Sequence, residues 1–147
     1  MICIICLIPD KGLDKEGIFR VPGNGKEINK LRKKIDQGED VNLEEAKTHT
    51  LANLLKLFFR ELPSPLLTYD LFREFMDTRA LQPKPEQCIA TMKEVVSRIP
   101  TMNQKALKYV VDFFSEVSQY QESNKMNAEN LAIVFGPNLL SPQYISN

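Results

Sequence analysis

The sequence predicts an all-α fold, and three observations predict it. Prolines at 9, 22, 63, 65, 83, 85, 100, 137 and 142 divide the chain into Pro-free stretches long enough for helices. Within each stretch the apolar residues recur at helical spacing, and no convincing run of period-two alternation appears. The chain has 147 residues, 43% hydrophobic and 26% charged, the composition of one globular domain with a real core, and no repeat or low-complexity tract interrupts it.

The elements follow in order. Ile2 to Ile8 is an apolar run expected to be buried. Asn24-Gly25-Lys26-Glu27 reads as an N-cap with its acidic partner three residues on, opening a helix with Ile28, Leu31 and Ile35 on one face and ending near Gly38. From about Glu44 to Leu62 runs the strongest segment, with Leu51, Leu54, Leu55, Phe58 and Leu62 toward the core, Leu57 and Phe59 on the flanks, and Pro63 closing it. Residues 66–77 (Leu67, Leu71, Phe72, Phe75, Met76) and 85–99 (Cys88, Ile89, Met92, Val95, Val96, Ile99) are both amphipathic. Thr101-Met-Asn-Gln104 has a capping-box pattern and opens a helix through Leu107, Val110, Val111, Phe114 and Val117. A short last helix begins near Asn127, carries Leu131, Val134 and Phe135, and is expected to stop at Gly136-Pro137. Five of the six glycines, at 12, 17, 23, 25 and 38, lie before and around the first capped helix, which is where a shaped loop is expected.

Charge and cysteine content exclude several functions. The 19 basic and 19 acidic side chains cancel, and the two halves, residues 1–60 and 61–147, differ only as +2 against −2. Bulk attraction to nucleic acid or an anionic membrane is therefore disfavoured. Three cysteines and no signal-peptide pattern point to free thiols in a reducing, cytoplasmic compartment. The Ile2 to Ile8 run is too short to cross a bilayer. Its Cys3-x-x-Cys6 spacing lacks a second ligand pair, so packing is preferred over metal or redox chemistry, and no metal site is expected.

Little in the chain suits a self-contained enzyme: one His, no recognisable nucleophile and base pair, and no GxxxxGK[ST] phosphate loop. The informative stretch is Glu16-Gly17-Ile18-Phe19-Arg20-Val21-Pro22-Gly23. Glycines enclose a short apolar segment whose one charged residue is Arg20. That residue reads either as a solvated loop arginine or as a guanidinium held at the tip of an anchored loop, where its planar fork suits phosphate oxygens. On the strongest helix Asn53, Lys56 and Arg60 form the narrow polar strip, which either snorkels to water or faces a partner. Lys30, Arg32, Lys33 and Lys34 read as a solvated helix face.

Three blocks then carry a resemblance. Gly17-Ile-Phe-Arg20-Val-Pro-Gly23, His49-Thr-Leu-Ala-Asn-Leu-Leu-Lys56-Leu-Phe-Phe-Arg60-Glu-Leu-Pro-Ser-Pro65-Leu and Asn130-Leu-Ala-Ile-Val-Phe-Gly-Pro137-Asn138-Leu-Leu resemble, in order, the signature blocks of the Rho GTPase-activating domain, and together span about Gly12 to Leu140. The resemblance implies an all-helical domain over residues 1–147, truncated at both ends, that stimulates GTP hydrolysis by a GTP-bound Rho-family GTPase. It implies Arg20 as a finger supplied in trans, Arg60 as brace of its loop, Lys56 as a GTPase contact, Asn130 as a switch-region contact, and Pro137 as a shaper of the adjoining surface. No cofactor of its own is implied, because GTP and magnesium belong to the GTPase, and no active site of its own is complete. Pro22, where the family often has Ser, is expected to stiffen the loop harmlessly. The competing expectation is a binding module of the same fold that docks a GTPase or another protein without accelerating hydrolysis.

Overall fold

Helices form where the prolines and glycines leave room for them. A computed structural model describes residues 1–81 and 84–143; Pro83 and the side chain of Cys3 lie outside the described residues. The element order is α1 (Ile2–Asp10), α2 (Gly25–Asp36), α3 (Thr48–Arg60), α4 (Phe72–Asp77) with a 3₁₀ turn (Thr78–Leu81), α5 (Pro85–Ser97), α6 (Thr101–Gln119), α7 (Gln121–Asn124) and α8 (Ala128–Leu139). No strand occurs among the described residues, as expected for an all-α chain.

The central element is α3, which packs on α1, α2 and α8. Its apolar face, Leu51, Ala52, Leu54, Leu55 and Phe59, joins Ile4, Ile5 and Ile8 of α1, Val110, Phe113 and Val117 of α6, and Leu131, Phe135 and Leu139 of α8 in one core. A second, smaller cluster of Leu71, Phe75, Val95 and Ile99 ties α4 to α5. Pro9 sits one residue from the end of α1, where the lost donor costs a single hydrogen bond.

Asparagines cap two of the helices. Asn24 accepts from the Lys26 and Glu27 amides, and Asn127 accepts from the Asn130 amide. The carboxylate of Glu27 does not reach back to its own cap; it accepts instead from the buried Thr50 hydroxyl at 2.8 Å, which joins α2 to α3.

Six expectations need correction. The helix expected over residues 66–77 begins only at Phe72, and Met76 on it is exposed. Phe59 is 1% exposed and Phe58 is 38% exposed, so their order of burial is the reverse of the one read from spacing. Both positions fit the helical period, and packing decides: Phe58 faces an open apolar groove with Ile35, Leu54 and Leu62. Likewise Phe113 is buried and Val111 is half exposed, because α6 turns Phe113 onto Phe19. Ile89, assigned to the apolar face of α5, is 56% exposed. Thr101 is the first residue of α6 and caps nothing; Gln104 Nε2 donates to the Ser97 and Ile99 carbonyls at 3.0 and 2.7 Å, closing the end of α5. Finally, α8 continues through Pro137 to Leu139. The donor Pro137 lacks would have met the carbonyl of Ile133, on a face where Ile133 is 66% exposed to water, and Asn138 Nδ2 binds the next carbonyl, Val134, at 2.8 Å.

Replacing Phe59 by Ala is expected to cost about 3–5 kcal/mol. The same change at Phe58 should cost less than about 1 kcal/mol. Chemical denaturation of the two variants checks the order; equal losses would contradict the packing of α3 described here.

Candidate functional site

The glycine-bounded segment between α1 and α2 forms a tight turn. The Gly17 carbonyl accepts from the amides of Arg20 (2.9 Å) and Val21 (2.7 Å), and the Gly17 amide donates to the Asn124 carbonyl at 2.8 Å. Gly17 has φ +67°, a left-handed conformation that favours glycine, and a Cβ there would also lie 2.5 Å from Val21 Cγ2, so that the Val21 side chain would have to shift. Gly23, where the segment leaves, rests on the first turn of α3; a Cβ there would lie 2.7 Å from the His49 carbonyl oxygen.

Phe19 has φ +68°, an uncommon left-handed conformation for a non-glycine residue that costs on the order of 1 kcal/mol. Its surroundings over-determine it. The ring is wholly buried, with centroids 6.0, 6.5 and 5.0 Å from Phe113, Phe114 and Phe135. Its carbonyl accepts a hydrogen bond from Lys56 Nζ at 2.5 Å. Ile18 is equally buried, so two consecutive side chains anchor the turn and the next, Arg20, projects from it exposed. The Arg20 guanidinium makes no hydrogen bond or ion pair among the described residues. It is a permanent, planar cation on a rigid mount.

The polar strip of α3 supplies that mount. Asn53 Nδ2 donates to the Val21 carbonyl at 3.2 Å and to the His49 carbonyl at 2.8 Å, and Lys56 holds Phe19 as described. The half-buried Lys56 ammonium is desolvated and stands near Arg60, so it loses its proton below the usual lysine value of 10.5. Arg60, one turn further on, is exposed and makes no hydrogen bond or ion pair among the described residues. In this structure the side chain that reaches the arginine loop is Lys56, through the Phe19 carbonyl, while Arg60 lies exposed on the same strip. Lys56 and Arg60 also line a polar cleft of ≈ 420 Å³ with Arg32, Asn53 and Asn138. Arg32 is engaged there by Glu61 at 3.1 Å and Asp36 at 3.5 Å.

Asn130 lies in the first turn of α8, half-buried, with Nδ2 donating to the Lys125 carbonyl at 2.9 Å. Pro137 is exposed and borders a different surface, an apolar groove of ≈ 760 Å³ lined by Phe72, Val111, Phe114, Leu131 and Phe135 between α4, α6 and α8. The structure thus joins Arg20 to Lys56 through Phe19, sets Arg60 on the same strip, and leaves Pro137 on the other flank of α8.

Sequence reasoning missed Asn124. It is fully buried at the end of α7, with Nδ2 donating to the carbonyls of Leu13 (2.9 Å) and Val117 (2.8 Å) and Oδ1 accepting from the Met126 amide (2.7 Å). The available signal was a turn-forming Asn between a long amphipathic helix and a capped one. Its burial depends on segments far away in the chain. Cys6 also departs from expectation: it is exposed, with Sγ 3.2 Å from the Tyr109 hydroxyl. Among the described residues no cluster of three or more His, Cys, Asp and Glu side chains could hold a metal ion, and no helix is long and apolar enough to cross a membrane.

Comparison with known proteins places this arrangement. Residues 1–144 match the RhoGAP domain. The chain is 43% identical over 138 residues to Rho GTPase-activating protein gacY of Dictyostelium discoideum, covering 92% of this chain and 19% of the relative. It is 40% identical over 141 residues to Rho GTPase-activating protein 68F of Drosophila melanogaster, covering 94% of this chain and 29% of that protein. The chain thus spans less than a third of these relatives' length. Among solved structures, human Rho GTPase activating protein 15 superposes with a TM-score of 0.87 at 35% identity, covering 94% of this chain and 66% of that one. The BH domain of GRAF, the GTPase regulator associated with focal adhesion kinase, superposes with a TM-score of 0.84 at 27% identity, covering 96% and 77%. With matching sequence over residues 1–144 and matching all-helical architecture, the chain belongs to the RhoGAP domain family.

Proposed function

We propose that the chain stimulates GTP hydrolysis by a Rho-family small GTPase in its GTP-bound form, inserting Arg20 into the partner's active site. The observation that carries this reading is the exposed Arg20, without a hydrogen bond or ion pair among the described residues, directly following two wholly buried residues on a turn pinned from α3. A GTPase hydrolyses slowly when nothing neutralises charge developing on the transferred phosphoryl group, and an arginine supplied in trans accelerates the step by about 10³–10⁵. That factor corresponds to roughly 4–7 kcal/mol of transition-state stabilisation, a magnitude available to a charge placed in a water-excluded interface.

Each residue of the loop has a part in this. Phe19 and Ile18 fix the position of the turn, Lys56 and Asn53 fix its carbonyls, and Arg20 arrives with little conformational freedom left to lose. Lys56 is thereby a positioning residue, and Arg60 on the same strip is available to the GTPase surface. Asn130, at the exposed start of α8, is assigned to the switch region, and Pro137 to the neighbouring contact surface. GTP and magnesium belong to the GTPase; the chain brings one catalytic side chain, no cofactor and no complete active site. A partner of this kind places the domain in the cytoplasm.

Single-turnover GTP hydrolysis by a panel of Rho- and Ras-family GTPases tests the reading. At saturating activator, Arg20→Ala is expected to lower the rate by about 10³-fold or more with binding largely intact. Arg20→Lys is also expected to fail, because it keeps the charge and loses the planar fork. Equal rates for wild type and Arg20→Ala would remove the finger assignment, and no acceleration of any GTPase by the wild type would leave a binding module.

Lys56 generates a prediction on pH. Its folded-state pKa lies below 10.5, so between the folded value and 10.5 the unfolded chain binds more protons, and stability rises with pH. Relative to Lys56→Met, which has no such group, the wild type should therefore gain stability as pH climbs through this window. Denaturation midpoints across alkaline pH read the difference, and a constant gap would contradict the desolvated placement of Lys56.

A further inference from the structure

Asn124 makes more polar contacts than a core position needs. Its side chain binds three segments, Leu13 ahead of the arginine loop, Val117 in α6 and Met126 ahead of α8, and its backbone carbonyl accepts from Gly17. Gly17 in turn receives the amides of Arg20 and Val21, so a continuous chain of hydrogen bonds runs from the Asn124 carbonyl to the backbone that carries the Arg20 guanidinium. On its other side Asn124 precedes Lys125, left-handed at φ +59°, whose carbonyl receives the Asn130 side chain. One buried corner therefore determines where both Arg20 and Asn130 stand.

We propose that Asn124 is a positioning residue for GTPase activation, holding the root of the arginine loop and the Asn130 side chain at a single spacing. The proposal rests on the function assigned above and deepens it. Hydrophobic packing alone resists compression and leaves direction loosely specified; three directional hydrogen bonds, each to a different segment, fix orientation as well. An alanine at this site would strand the Leu13 and Val117 carbonyls and the Met126 amide without their partner. The corner would then relax, and Gly17 and Lys125 would move independently. Displacement of a catalytic group by about 1 Å is enough to cost about 10²-fold in rate.

The test compares wild type, Asn124→Ala, Asn124→Ser, Arg20→Ala and Val95→Ala, the last placed in the second apolar cluster as a control for lost stability. The measurements are the saturating single-turnover rate with a GTP-loaded Rho-family GTPase, affinity for the same GTPase carrying a non-hydrolysable GTP analogue, melting temperature, and amide exchange at Gly17. Asn124→Ala is expected to lower the saturating rate by about 10- to 100-fold, to change affinity by less than about threefold, and to speed exchange at Gly17. Asn124→Ser, whose hydroxyl can hold one of the three partners and brings no charge into the buried corner, should fall between wild type and Asn124→Ala, and it carries the test if the alanine variant does not fold. Val95→Ala should retain the wild-type rate at a comparable loss of melting temperature. Wild-type rates for the Asn124 variants while Arg20→Ala is inactive would overturn the proposal. So would an equal loss of rate in Val95→Ala, which would reduce Asn124 to a stabilising role. Wild type and Arg20→Ala that coincide, with neither accelerating hydrolysis, would instead overturn the function itself and this proposal with it.

Discussion

The burial of Phe19 in a left-handed backbone is the constraint on which the functional end of the molecule depends. Left-handed φ is unfavourable for a side chain of this size, and it persists because the ring is enclosed by Phe113 and Phe114 from α6 and Phe135 from α8 while Lys56 from α3 takes the carbonyl. Three long helices thus meet at one residue. Their meeting point lies directly before the only cation of the turn, so the aromatic core is also the mount for Arg20. An extended backbone at Phe19 would carry the chain past the core on a different course, and the following side chain would not leave it at this point.

Electrostatics follow from that geometry. The chain as a whole is neutral, and most cations of the first half are solvated or engaged: Arg32 with Asp36 and Glu61, Lys34 with Glu39. Lys56 and Arg60 differ. They stand close enough that Arg60 helps to lower the proton affinity of Lys56, and neither has a carboxylate partner among the described residues. Like charges kept together at a cost to the free domain are readily understood where an anionic surface completes them. Lys56 additionally spends its hydrogen bond inward, on Phe19, which is why its charge is half-buried and that of Arg60 is not.

The last helix shows how one element serves two surfaces. Its N-terminal turn, capped by Asn127, presents Asn130 beside the corner formed by Asn124 and Lys125. Its middle gives Leu131 and Phe135 to the core, and its far end passes through Pro137 with Asn138 binding the Val134 carbonyl. The apolar groove lies on the face of α8 that carries Leu131, Phe135 and Pro137, and the polar cleft on the face that carries Val134 and Asn138.

The sequence by itself determined the helical class, the approximate spans of α2, α3, α5 and α6, the Asn24 cap, and the place of a shaped loop around Arg20. These are local properties: proline and glycine act on their own backbone, caps reach two or three residues, and periodicity is written along one face. Tertiary structure decided which of two adjacent aromatics is buried, as at Phe58 and Phe59, because a period of 3.6 leaves neighbouring positions nearly equivalent until another helix covers one of them. It also decided that Lys56 reaches the Phe19 carbonyl, and that Asn124 is a hub. Those hydrogen bonds join residues 37 positions apart for Lys56 and Phe19, and 111 apart for Asn124 and Leu13, and spacing along the chain carries no information about a partner that only folding brings within reach.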